Sequence, residues 1–249
     1  MKTAVIIMSR VPEPGNTKTR LMNKLSGDEC AGLHRSCLRD ICRIVRNTEM
    51  PAFLYYAGSK NQSELDWGNA VFDPWDLRPE DYMYFTMRQQ KGFDLGIRML
   101  NAASEVLIDY DAVMFLGSDM PCLSPRLLLE ANERLHDHDL VVGPAEDGGY
   151  YLLAMKMVYE ALFKDIPWST YRVLQMTLQV AEKSGLSYSR LPGHSDIDTW
   201  EDLLSFYKKG LFNKDFNDLD SYKYTTHLIR KYGCRERDEL FGCKVEEIS

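Results

Sequence analysis

The chain has 249 residues, enough for one large α/β unit that buries roughly three-quarters of its unfolded surface without covalent staples. With 45% hydrophobic and 27% charged residues it reads as an ordinary soluble globular protein. A net charge of −7 argues against a general nucleic-acid binder, so an anionic ligand requires a local group of donors or a metal.

The opening MKTAVIIMSR has an apolar run too short for a signal-peptide core or a bilayer span, and no other stretch reaches membrane length. No membrane span is expected. The six cysteines form no CxxC pair, and Cys30, Cys37 and Cys42 fall on the apolar side of a predicted helix. A reduced, cytoplasmic setting fits that usage.

In chain order, Ala4 to Met8 is a buried-strand pattern followed by a loop with Pro12, Pro14 and Gly15. A helix is expected from near Thr17, and a second from the capping box Ser26 to Glu29, apolar at 30, 33, 37, 38, 41 and 45. Pro51 to Ala57 reads as a strand, 60 to 82 is poorly readable, and Met83 to Thr86 reads as a short strand. Residues 93 to 108 look helical, with Ile97, Leu100 and Leu107 on one face.

Ala112 to Leu116 is a second buried strand, and Ser124-Pro125 opens a helix to about Leu135. Strands follow at Leu140 to Val142 and Tyr150 to Met155, then a helix from 170 to 183, a strand near 186 to 191 and a helix from 199 to 208. Such alternation indicates a mainly parallel sheet covered on both faces. Residues 211 to 249 lose the rhythm and read as an extension with one helix, about 218 to 232.

In open α/β sheets the ligand lies beyond the carboxyl ends of the strands. The loop RVPEPGNTKTR offers Arg10, Lys18, Thr19 and Arg20 as a diphosphate cradle, or else a solvated helix start. Gly117-Ser118-Asp119-Met120-Pro121 ends the most apolar strand with an acid that suits a hard cation, or a turn. Asp147-Gly148-Gly149-Tyr150 allows close backbone approach, or is a tight turn. In DIDTWEDL, capping explains Thr199, Glu201 and Asp202 and leaves Asp196 and Asp198 as surplus carboxylates. A weaker candidate, Gln90 to Gly96, contributes Gly92, Asp94 and Gly96 to the nucleotide side. The five histidines match no catalytic spacing.

The set PxPGxxKTRL, GSDMP, GPAEDGGYYLL, PWST and DIDTWEDL, in order from about residue 3 to 205, resembles a bacterial glycosyltransferase-like family of the GT-A (nucleotide-diphospho-sugar transferase) superfamily. Lys18-Thr19-Arg20 is similar to the phosphate-binding segment of phospholactate guanylyltransferases, and DIDTWEDL resembles the closing motif of sugar cytidylyltransferases. The resemblance implies an α/β fold, a GT-A-type three-layer α/β/α sandwich with a mainly parallel, mixed sheet. It implies Asp119 and Asp198 as ligands of Mg²⁺ or Mn²⁺, and Lys18 and Arg20 as phosphate contacts.

The expected organisation is a nucleotide-diphospho-sugar transferase-like domain over 1–210 and a partly helical extension over 211–249. The favoured activity is metal-dependent glycosyl transfer from a nucleotide sugar to a small-molecule acceptor. The alternative is a nucleotidyltransferase that joins a nucleoside triphosphate to a phosphorylated small molecule. Asp147 is expected as general base, with Gly148, Gly149, Tyr150, Trp168 and Ser169 facing the acceptor. The Asp-x-Asp common in glycosyltransferases of this fold is here Gly117-Ser118-Asp119, a gap that nucleotidyltransferases tolerate better.

Overall fold

The computed structural model describes residues 1–58, 73 and 75–232. Seven strands are present among them: β1 (Thr3–Arg10), β2 (Ala52–Ala57), β3 (Phe85–Gln89), β4 (Ala112–Gly117), β5 (Leu140–Pro144), β6 (Tyr150–Met155) and β7 (Tyr188–Arg190). Seven α-helices accompany them: α1 (Gly27–Arg46), α2 (Pro79–Tyr84), α3 (Leu95–Val106), α4 (Pro125–Arg134), α5 (Val173–Lys183), α6 (Trp200–Leu211) and α7 (Asp220–Tyr232). The strands form one sheet in the order β3-β2-β1-β4-β6-β5-β7. Only β6 runs against its neighbours, β4 and β5.

The apolar runs of β1 and β4 follow from a sheet covered on both faces. Val5, Ile7, Met114 and Leu116 pack into one core with α1 and α4, while Ala4, Ile6, Val113 and Phe115 pack into the other with α3 and α5. Each fully buried side chain of this kind is worth roughly 1.5–3 kcal/mol. A third cluster joins Leu33 and Cys37 of α1 to Leu203 and Phe206 of α6 and to Tyr222, Leu228 and Ile229 of α7. The three-layer α/β/α sandwich with a mixed, mainly parallel sheet is therefore present as expected.

Local signals set the helix starts. Ser26 accepts from Glu29 N while the Glu29 carboxylate accepts from Ser26 N. Thr199 and Asp202 repeat the arrangement at α6, and Ser124 caps α4 ahead of Pro125.

Three expectations need correction. The helix from near Thr17 is a 3-10 turn, Thr19–Asn23, because Lys18 sits in the left-handed region with φ 49° and cannot continue an α-helix. The strand at Met83 to Thr86 is instead the end of α2 followed by β3, with Arg78 N donating to the Asp81 carboxylate at the helix start. In α3 the most buried residues are Gly96, Met99, Ala102, Ala103 and Val106, whereas Leu100 and Leu107 pack only partly. Most of these are small residues, which a search for large apolar side chains passes over.

The expected terminal helix is α7, preceded by a 3-10 turn, Lys214–Asp218. Asp40, fully buried in α1, accepts from Asp220 N, Ser221 N and Ser221 Oγ at 3.0, 2.9 and 2.7 Å. A carboxylate from another helix thus supplies the N-terminal cap of α7. Cys30, Cys37 and Cys42 are buried, as expected, while Cys234, Cys243 and the last part of the extension lie outside the described residues. No helix among the described residues is long and apolar enough to cross a membrane.

Candidate active site

The strand order switches sides at β1: β2 pairs on one side and β4 on the other, both parallel. Loops leaving the carboxyl ends of such strands border a crevice. The Lys18 loop leaves β1, Ser118 and Asp119 leave β4, and Asp147 to Gly149 join β5 to β6.

The segment after β7 reaches the same place by extending the sheet. Leu191 N donates to Val142 O at 2.9 Å, His194 N to Pro144 O at 3.1 Å, and Glu146 N to His194 O at 3.1 Å. That path carries Asp196, Ile197 and Asp198 alongside the end of β4, where Ile197 N donates to Asp119 O at 3.2 Å.

Lys18 lies at the centre. Its left-handed backbone turns the side chain inward, where only 2% of it is exposed. The ammonium is 3.1 Å from Asp119 Oδ1 and donates to the Ile197 carbonyl. Burial alone would lower its pKa, but the carboxylates of Asp119 and Asp198 outweigh it and hold the pKa above the usual lysine value. Burial likewise opposes ionisation of Asp119, yet Lys18 keeps that acid below its usual range.

Arg20, mostly exposed, pairs with Asp198 at 2.8 Å. Asp196 is half-buried, and burial with the nearby charge of Asp147 raises its pKa to about 6. Lys18, Arg20, Asp119 and Asp198 therefore meet at one locus, and Asp147 lies close enough for its charge to reach Asp196 beside them.

His34 is the participant that sequence spacing missed. It is buried in α1, and its Nδ1 is 2.5 Å from Thr17 Oγ1. Its Nε2 is 3.1 Å from Ser9 Oγ and 3.2 Å from Ser118 Oγ. Ser9 donates to Arg10 O and Ser118 to Asp119 Oδ1, so both hydroxyls accept from Nε2–H and Nδ1 accepts from Thr17. Burial lowers its pKa to about 4 and keeps it neutral at pH 7. Gln90, which opens the weaker candidate loop, donates to Ser9 O and Tyr55 O and ties β1 to β2 at the crevice floor.

The remaining candidates hold local positions. Asp94 caps α3 by accepting from Ile97 N at 2.7 Å, and a Cβ on Gly96 would meet Phe163 O and Trp168 Nε1 at 2.4 Å. Capping and close packing account for both without a ligand. Gly92 has φ 142° and accepts from Arg98 Nε at 3.0 Å. Gly148 has φ 89°, and a Cβ there would lie 2.1 Å from Tyr171 O. Asp147 Oδ1 accepts from Gly149 N at 2.9 Å. Trp168 against α3 and the Tyr171 backbone against Gly148 thus pin the 163–172 segment as one wall, where Ser169 adopts φ 62°. Tyr150 reaches Met99 Sδ at 3.9 Å, and Arg10 and Thr19 are exposed at the rim.

Among the described residues no three His, Cys, Asp or Glu side chains form a metal cage by themselves. A hard divalent cation needs only one or two carboxylates when phosphate oxygens and water complete its shell. The partly exposed Asp119 and Asp198 suit that chemistry.

A family model described as "Uncharacterized protein conserved in bacteria (DUF2064)" matches residues 38–170. The chain is 26% identical over 197 residues to a 2-phospho-L-lactate guanylyltransferase from a Methanocaldococcus species, covering 78% of this chain and 77% of that one. A crystal structure from Desulfovibrio desulfuricans G20, provisionally assigned as a nucleotide-diphospho-sugar transferase, superposes with TM-score 0.79 at 28% identity, covering 93% of this chain and 98% of that one. The inositol-1-phosphate CTP transferase of T. maritima shares the fold at TM-score 0.52 and 13% identity, over 94% and 98% of the two chains.

Proposed function

This chain belongs to the DUF2064 family of bacterial proteins, and we propose that it is a metal-dependent nucleotidyltransferase acting on a small phosphorylated acceptor. It is a transferase of the nucleotide-diphospho-sugar transferase fold. The observation that carries the narrower reading is the convergence of Lys18 and Arg20 on Asp119 and Asp198 at the carboxyl ends of β1 and β4. Two cations and two acids there match a polyphosphate with a divalent counter-ion. Gly117 in place of a first carboxylate, and similarity to a guanylyltransferase over most of both chains, favour nucleotidyl transfer over the glycosyl transfer first expected. The glycosyl reading keeps the support of the Desulfovibrio structure.

In the proposed reaction an acceptor phosphate oxygen attacks the α-phosphorus of a nucleoside triphosphate. The α–β bridging P–O bond breaks, and pyrophosphate leaves with the bonding electrons. Mg²⁺ or Mn²⁺ held by Asp119 and Asp198 would supply charge neutralisation to the phosphates. Arg20, exposed at the rim, can turn to the β- and γ-phosphates, and the Lys18 loop stays anchored from below through Thr17 and His34. The Asp147 loop and the Trp168 wall then border the acceptor side.

The test is to incubate the protein with each nucleoside triphosphate, Mg²⁺ or Mn²⁺ and a panel of phosphorylated small acids, and to assay pyrophosphate. Metal-dependent pyrophosphate release is expected. Turnover of sugar nucleotides to nucleoside diphosphate, with no pyrophosphate release, would return the assignment to glycosyl transfer.

A further inference from the structure

We infer that Lys18 is the resident counter-cation of the Asp119–Asp198 pair, and that it must withdraw from Asp119 before a divalent ion is held there. The inference rests on the reading of these two acids as ion-holding residues. It goes beyond that reading in giving Lys18 a position that opposes free-ion binding.

Three observations carry it. The Lys18 ammonium is within ion-pair distance of Asp119, at 3.1 Å, and its second donor is spent on the carbonyl of Ile197, the residue before Asp198. The side chain is almost wholly buried, so the ammonium has exchanged water for these partners. Its backbone is held at φ 49°, a conformation that a non-glycine residue adopts at a cost and that here aims the side chain inward.

A second cation beside the first would be repelled over about 4 Å in a partly desolvated site, where Coulomb interactions are several times stronger than in water. An arriving polyphosphate changes that balance, because its oxygens can accept the ammonium as Lys18 leaves Asp119. Free divalent ion therefore binds weakly, and nucleotide and ion bind with positive coupling. The functional consequence is selection of the metal–nucleotide complex over the bare metal.

The experiment titrates free Mn²⁺ by electron paramagnetic resonance, without nucleotide, into wild type, Lys18→Met, Lys18→Arg and the double variant Lys18→Met/Asp119→Asn. Lys18→Met should bind Mn²⁺ at least about tenfold tighter than wild type, since a repulsive unit charge has been removed. Lys18→Arg keeps the charge and should stay weak, and the double variant should lose the gain. Adding nucleotide should raise Mn²⁺ affinity markedly in wild type and much less in Lys18→Met. Circular dichroism checks folding, and Lys18→Gln substitutes if the Met variant does not fold.

Equal or weaker Mn²⁺ binding by folded Lys18→Met overturns the inference, as does a gain that survives Asp119→Asn. A gain in Mn²⁺ affinity beside an enzyme that turns over no nucleoside triphosphate leaves the inference standing and removes the proposed reaction. No Mn²⁺ binding by any of these proteins, with or without nucleotide, overturns the inference and the ion-holding reading together.

Discussion

Thr17 Oγ1 and His34 Nδ1 lie 2.5 Å apart, and through that bond helix α1 holds the loop that carries Lys18. On its other side the same imidazole reaches Ser118, the neighbour of Asp119, so one buried ring fixes the spacing of both charged partners. Removing it leaves three buried hydroxyls short of a partner, each costing about 1–3 kcal/mol if left unsatisfied. His34→Ala should lower stability by about 2–4 kcal/mol in urea denaturation, allowing for partial relaxation. It should also weaken nucleotide binding. Wild-type stability in that variant would mean the ring carries no such constraint.

Arg20 is 68% exposed on its side chain and pairs with Asp198 at the rim, so its contribution to folding is small. Its expected contribution is to ligand affinity. Losing a charge-assisted hydrogen bond to phosphate costs about 1.5–3 kcal/mol, or roughly 10- to 150-fold. Isothermal titration of Arg20→Ala should show that loss for nucleoside triphosphate and nearly none for the bare nucleoside. Equal losses for the two ligands would make Arg20 structural.

Asp147 is exposed, in a turn fixed by its own bond to Gly149 N, and its charge raises the pKa of Asp196. The phosphate acceptor of the proposed reaction is already ionised and needs no base, so Asp147→Asn should leave turnover near wild type. A loss of about 10²- to 10⁴-fold with unchanged nucleotide affinity would mark Asp147 as general base on an acceptor hydroxyl, as glycosyl transfer requires. Steady-state kinetics paired with a binding isotherm separate the two effects. A large loss of nucleotide affinity would instead place Asp147 among the nucleotide contacts.

The Asp40 cap ties α7 to the main body through three bonds from α7 to one buried carboxylate, which Arg43 of the same helix as Asp40 also contacts. Asp40→Ala leaves two helix-start amides without their acceptor and should cost about 1–3 kcal/mol. Hydrogen exchange should show lost protection concentrated at residues 220–225. Protection spread evenly over the whole chain would contradict a local role.

Glu29 closes the α1 capping box and also accepts from Lys231 Nζ at 2.6 Å and Tyr232 Oη at 2.8 Å. Burial opposes its ionisation, but these bonds dominate and bring its pKa to about 2, from 4.5. A depressed folded pKa gives stability that is present above pH 4.5 and is lost as pH falls towards 2. Because Lys231 is half exposed, solvent screening limits the effect to about 1 kcal/mol. Glu29→Gln should therefore flatten the acid limb of the stability–pH profile below pH 4.5, read by thermal melts. An unchanged limb would remove Glu29 from the acid response.

What the sequence determined by itself is what short-range physics encodes. The capping boxes at Ser26/Glu29 and Thr199/Asp202, and the Ser124-Pro125 start of α4, involve partners within three residues and are legible from the chain alone. The apolar runs of β1 and β4 are legible too, because a strand buried on both faces leaves no polar alternation. The motif loops could be assigned to the carboxyl edge of the sheet on the same basis. Only the tertiary structure decided which charges meet. Lys18 reaches the Ile197 carbonyl 179 positions away, and His34 reaches Ser118 across 84. Neither follows from spacing, because strand order and the reversed β6 set those distances. The conformation of Lys18 is likewise a tertiary outcome: a residue well suited to a helix adopts φ 49° in a loop whose buried ammonium is held by partners from the ends of two other strands.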